Sequence, residues 1–120
     1  PMNIIIKEHE GVKIAEVAEN EVILNELDDA VDLLGNSDYL GASCTILLKE
    51  QINSDFFDLK TRLAGDILQK FSNYNKRLAI VGDFSNISSK SLRDFIYESN
   101  KGRRINFVET KEEAIEILCK

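Results

Sequence analysis

The period of the apolar positions changes several times along the chain, and each change marks an element. Asn3 to Glu8 alternates weakly around Ile4-Ile5-Ile6, and Val12 to Val17 alternates again, with Glu10-Gly11 between them. Period two on both sides of a glycine turn predicts a β-hairpin. Glu21 to Leu24 is a further short apolar run, read as an extension of that sheet. The spacing then becomes helical. Leu27, Ala30, Val31 and Leu34 form one stripe, with Asn25 as the expected cap, acids at 26, 28 and 29, and Gly41 at the exit. Thr45 to Leu48 is a compact apolar strand.

Phe56, Leu59, Leu63, Ile67 and Phe71 predict a helix over roughly 55–73, capped by Asn53 or Ser54. Leu78 to Val81 is a strand closed by Gly82-Asp83. A helix capped by Ser88 or Ser89 runs to Asn100, with Gly102 as its stop. Ile105 to Val108 is the last strand, and Thr110 with Glu113 opens a terminal helix. After the hairpin, strands and helices alternate with short connections, which predicts right-handed crossovers and a largely parallel sheet. The fold class is therefore α/β, a mixed four- to five-stranded sheet with an N-terminal hairpin and about four helices. Strands 45–48 and 78–81 should be central, because they are the most uniformly apolar.

Composition narrows the classes. A chain of 120 residues with 43% hydrophobic and 30% charged residues fits one globular domain over residues 1–120. Pro1 precedes Met2 and reads as a cloning remnant. Apolar runs of four residues or fewer give no membrane span, and no signal peptide is read, so the expected location is the cytoplasm. Cys44 and Cys119 read as reduced packing thiols. Net charge is −6, unevenly spread: residues 1–75 hold 14 acids and 6 bases, whereas 76–108 hold 7 bases and 3 acids. An acidic chain is not a nonspecific nucleic-acid binder, so neither nucleic acid nor membrane is an expected partner.

Catalytic sets are sparse. His9 is the only histidine, read as an exposed strand-end residue, so relays that need histidine have a single candidate. No zinc spacing, phosphate loop or dinucleotide loop occurs, and no metal or cofactor is expected. Asp55 and Asp58 lie at a predicted helix start, which carboxylates stabilise without further function. Phe84 stands apart from the other phenylalanines because it falls in a loop, and Tyr74 and Tyr97 are candidate partner anchors. In parallel sheets ligands gather beyond the carboxyl ends of the strands. Asp58, Lys60 and Thr61, then Asp83, Ser85, Lys90 and Arg93, are expected to border a common surface there.

Several long runs resemble a known group. They are Asp55–Thr61 with Ala64-Gly65, Ile67–Tyr74, Leu78–Ser85 and Lys90–Gly102. Together they resemble the uncharacterised domain-of-unknown-function 4180 family, which implies a bacterial cytoplasmic protein and supplies no activity. The element order is also similar to STAS domains, the anti-sigma-factor-antagonist type. In those domains the loop after the strand equivalent to 45–48 carries a phosphorylated serine. The best local match is Phe57-Asp58-Leu59-Lys60-Thr61, where Leu59 and Lys60 stand in place of the hydroxyls. The resemblance implies a regulatory protein-interaction module without the phosphorylatable serine, with a protein partner or a homodimer as its assembly. Two other readings compete with it. One is a small-molecule or anion site using Lys90 and Arg93. The other is an enzyme built on Asp58, Asp83 and Lys60.

Overall fold

The computed structural model describes residues 2–120, so the reading of Pro1 lies outside it. The sheet has five strands, β1 (Ile4–His9), β2 (Val12–Val17), β3 (Cys44–Leu48), β4 (Arg77–Val81) and β5 (Ile105–Val108). They lie side by side in chain order, β1-β2-β3-β4-β5. The β1–β2 pair is antiparallel, and the other pairs are parallel. The hairpin turns through Glu10 and Gly11, both at positive φ (51° and 82°), the geometry that matches a two-residue turn to the strand twist. The expected placement holds: β3 is the middle strand, β4 has neighbours on both sides, and the hairpin lies at one edge.

Four helices connect or follow the strands: α1 (Leu27–Tyr39), α2 (Leu63–Asn73), α3 (Lys90–Lys101) and α4 (Lys111–Leu118). Successive parallel strands add in one direction, so right-handed crossovers put α1, α2 and α3 on one face. Their Leu33, Leu34, Ile67 and Phe71 bury against Leu47, Leu78, Ile80 and Phe107. The other face is left to α4, whose Ala114 and Leu118 pack on Ile14, Cys44, Ile46, Ala79 and Val108. Glu16 points to this second face and is nearly buried. Lys111 at 2.6 Å and Lys7 at 3.4 Å neutralise it, and the first of these pins the start of α4 to β2.

Local structure departs from the sequence expectation at several points. The helix read over 55–73 starts only at Leu63. Before it lie 3-10 turns at Ser54–Phe57 and Leu59–Thr61. Side chains compete here with helical bonding: Asn53 accepts the Asp55 N–H, Asp58 accepts the Lys60 N–H, and Arg62 sits at φ 67°. At α1 the carboxylate of Asp29 accepts the N–H groups of Asn25 and Glu26 at 2.8 and 3.1 Å, so Asp29, not Asn25, satisfies that end. The run 21–24 forms no strand and contributes one parallel bridge, Leu24 to Ile52. His9 is half-buried, not exposed. It pairs with Val12, on the α4 side of the hairpin, its carbonyl accepts the Cys119 thiol, and its Nε2 has no hydrogen-bond partner among the described residues.

The basic segment 76–108 is largely consumed by the fold. Lys76 pairs with Asp38 at 2.7 Å and donates to Ala42 O. Arg77 donates to Arg103 O and to the last carbonyls of α4, Ile117 O and Leu118 O. Arg103 and Arg104 donate to Lys120 O and Lys76 O. These cations tie the amino ends of β4 and β5 to neighbouring loops and to α4. No described helix is long and apolar enough to cross a membrane.

Candidate functional site

The carboxyl ends of β3, β4 and β5 open into a cleft. Directly after β3 the chain makes a 3-10 turn, Lys49–Gln51, which the Gln51 amide locks in place. Its oxygen accepts the Leu48 N–H at 2.8 Å, and its nitrogen donates to Val17 O at 2.9 Å and Glu19 O at 2.8 Å. Gln51 is 3% exposed, so these bonds are made away from water. The turn holds Lys49 and Glu50 over the end of the sheet.

Lys49 crosses toward the loop after β4. Its ammonium donates to Asp83 O at 2.9 Å and lies 5.1 Å from the Phe84 ring centre and 5.8 Å from that of Phe57. Gly82 permits the crossing, because a Cβ there would lie 2.7 Å from the Lys49 Cβ. Phe84 is therefore not an isolated loop aromatic. It packs edge-on against Phe107 at 5.3 Å and lies 6.1 Å from Phe57, linking the loop to the main core. The Asp83 carboxylate accepts the Ser85 hydroxyl at 2.6 Å and the Ser85 N–H at 2.9 Å. The hydroxyl first, then the N–H, and to a lesser degree Lys49, hold it below the usual carboxylate range.

Two adjoining cavities share Glu50 and Asp83. One, of about 520 Å³, is lined by Leu48, Glu50, Val81, Gly82, Asp83, Ser85 and Glu109. The other, of about 390 Å³, is lined by Lys49, Glu50, Ile52, Ser54, Phe57 and Asp83. Glu109 lies where the end of strand 105–108 places it, and Glu50 was missed as a site residue in the sequence, although it lies two residues beyond a strand end, where a cleft-lining side chain belongs. The three carboxylates Glu50, Asp83 and Glu109 do not converge as a metal-binding group among the described residues.

The structure divides the residues expected at this surface. Asp83 and Ser85 lie together in the cleft, and the 54–57 turn meets them through Phe57 and Phe84. Asp58, Lys60 and Thr61 form a separate local cluster before α2 and line neither cavity. Thr61 Oγ1 donates to Asp55 O at 2.6 Å and to Asp58 O at 2.9 Å. Lys90 pairs with Asp94 at 2.7 Å, and Arg93 donates to Ile87 O and Ser88 O. The counter-charge for Lys90 is thus Asp94, not Asp83 or Asp58, and Arg93 closes its own loop. Lys90 and Arg93 line neither cavity. The lining of the cleft is acidic, with Lys49 its one cation among the described residues.

Residues 9–118 match the family model described as "Domain of unknown function (DUF4180)". The chain matches no curated protein and no solved structure.

Proposed function

This chain belongs to the DUF4180 family, and from that premise we propose that it is a cytoplasmic, STAS-like regulatory module that acts by binding a protein partner, with the acidic cleft as its contact surface. One observation carries the reading. Two cavities share Glu50 and Asp83 as lining residues beyond the carboxyl ends of three parallel strands, the place where such sheets receive ligands. The element order, hairpin first and then alternating helices and strands, supports the STAS-like part. Binding is favoured over catalysis because Asp58 and Lys60 make only local bonds and line neither cavity with Asp83. With three carboxylates around it, the cleft suits a basic segment whose apolar part rests near Phe57.

A small-molecule site at the same edge is the second reading, favoured by a volume of about 520 Å³. The same carboxylates turn its charge preference from anions to cations.

A photo-crosslinking residue at Ser85, expressed in the source cell, tests the first reading. The expected result is one discrete protein adduct, lost when Glu50→Lys and Glu109→Lys are added. Adducts that form equally from a crosslinker at Tyr97, on the exposed side of α3, would overturn it. Spermidine titrated into labelled protein tests the second reading, which expects amide shifts confined to 48–50, 81–85 and 109.

A further inference from the structure

The two edges of the sheet are finished differently. At the β5 edge the Asn100 side chain takes the place of a neighbouring strand. Its nitrogen donates to Phe107 O at 3.2 Å, and its oxygen accepts the Phe107 N–H at 2.7 Å. Among the described residues, no strand lies beyond the β1 edge. Ala18 N–H donates to Asn3 O, continuing the Ile4↔Val17 register. Hydrogen-bonded and non-hydrogen-bonded pairs alternate along an antiparallel ladder. Ile5, Lys7 and His9 therefore direct their backbone groups to β2, while Ile4, Ile6 and Glu8 direct theirs to the open side.

Apolar surface flanks this open edge. Ile5 is 41% exposed on the α4 side. On the other side Met2, Ile4, Tyr39 and Leu40 line a groove of about 290 Å³, with Tyr39 90% and Leu40 45% exposed. A regular six-residue edge strand with neither proline nor bulge is a template for pairing.

We propose that β1 pairs antiparallel with β1 of a second copy of this chain, about a twofold axis at Ile5, to make one continuous ten-stranded sheet. The sequence of the strand is complementary to itself in this register. Ile4 of one copy exchanges both backbone hydrogen bonds with Ile6 of the other, and the converse pair does the same. Ile5 meets Ile5 on the opposite face, Lys7 meets Asn3, and Glu8 meets Met2, so no charge faces a like charge. An axis at Ile6 sets Ile4 against Glu8 and Ile5 against Lys7. An axis at Lys7 sets lysine against lysine, an unfavourable cross-strand pair. The Ile5 register brings all three isoleucines together and covers the bare edge. Isologous pairing of this kind closes on itself and stops at two copies.

Sedimentation of the full chain tests the proposal and is independent of the cleft. The wild-type chain is expected at twice its 13.6 kDa mass, with dissociation on dilution. Ile5→Lys and Ile5→Glu each place like charges on the axis, the second also facing Glu16 across the β1–β2 pair, and each is expected to sediment as a monomer that circular dichroism shows to be folded. An equimolar mixture of the two variants sets opposite charges on the axis and is expected to restore the dimer. A wild type that stays monomeric at every concentration would overturn the proposal. So would a dimer that survives both substitutions, or two variants that fail to rescue each other.

Discussion

Gln51→Leu is the most informative single change. It keeps the approximate size of a side chain that is 3% exposed and removes all three of its hydrogen bonds. Each bond contributes about 1–1.5 kcal/mol net, and the orphaned Leu48 N–H and Val17 carbonyl stay shielded from water. The gross loss is then about 3–4.5 kcal/mol, and the more apolar leucine returns about 1 kcal/mol. The expected net cost is about 3 kcal/mol. An unfolding entropy of about 2.1 cal/mol/K per residue gives about 0.25 kcal/mol per degree for this chain, so the melting temperature should fall by about 12 °C. Differential scanning calorimetry measures it. Asn53→Ala is the control, because Asn53 caps one exposed turn through its bond to Asp55 and otherwise makes only a long 3.4 Å bond to Asn25 O, and its cost should be about 1 kcal/mol. If Gln51→Leu costs no more than Asn53→Ala, the amide does not hold the turn, and the account of how Lys49 and Glu50 reach the cleft is wrong.

Three further outcomes follow from the same geometry. Gly82→Ala forces the Lys49 side chain aside and breaks its bond to Asp83, costing about 1–3 kcal/mol by urea denaturation. Ser85→Ala removes the hydroxyl that does most to depress the Asp83 carboxyl, so the Asp83 titration followed by NMR should move up toward the ordinary carboxylate range. Burial raises the Cys44 thiol above its ordinary value near 9.0. The unfolded chain therefore loses this proton first, and stability should fall as pH rises from about 9 toward the folded-state value. Cys44→Ala should flatten that part of the stability–pH curve, and an unchanged curve would assign the alkaline loss to another group.

The sequence made the order of elements legible because each depends on local period. Strand centrality followed from the uniform apolar character of Thr45–Leu48 and Leu78–Val81. The start of α2 was not legible, because Phe56 and Leu59, three residues apart, fit a 3-10 turn as well as an α-helix. The choice between them lay in the Asn53 and Asp58 side chains. Parallel topology predicts neighbouring loops at 53–58 and 83–88, of which Ser54 and Phe57 meet Asp83 and Phe84 while Asp58 stays outside the cleft. It carried no information on where long basic side chains end. Lys90 and Arg93 read as cleft cations and are spent on Asp94 and on loop carbonyls. Phe84 was opaque for a different reason: a loop has no period from which a core contact can be inferred.

Strand neighbours in this sheet are also neighbours along the chain, and that bears on how the molecule is made at the ribosome. Synthesis delivers each strand next to an already formed partner: β2 after β1, then β3, β4 and β5 in turn. No strand has to wait for one made later, so the first face can close progressively as α1, α2 and α3 emerge. The second face behaves in the opposite way. Ile14, Cys44, Ile46 and Ala79 stay uncovered until α4 is released, after every strand has been laid down. A chain interrupted before Lys111 lacks the helix that covers this apolar face, which leaves it open to chaperones and proteases. The arrival of α4 is therefore the step that closes the second face of the sheet.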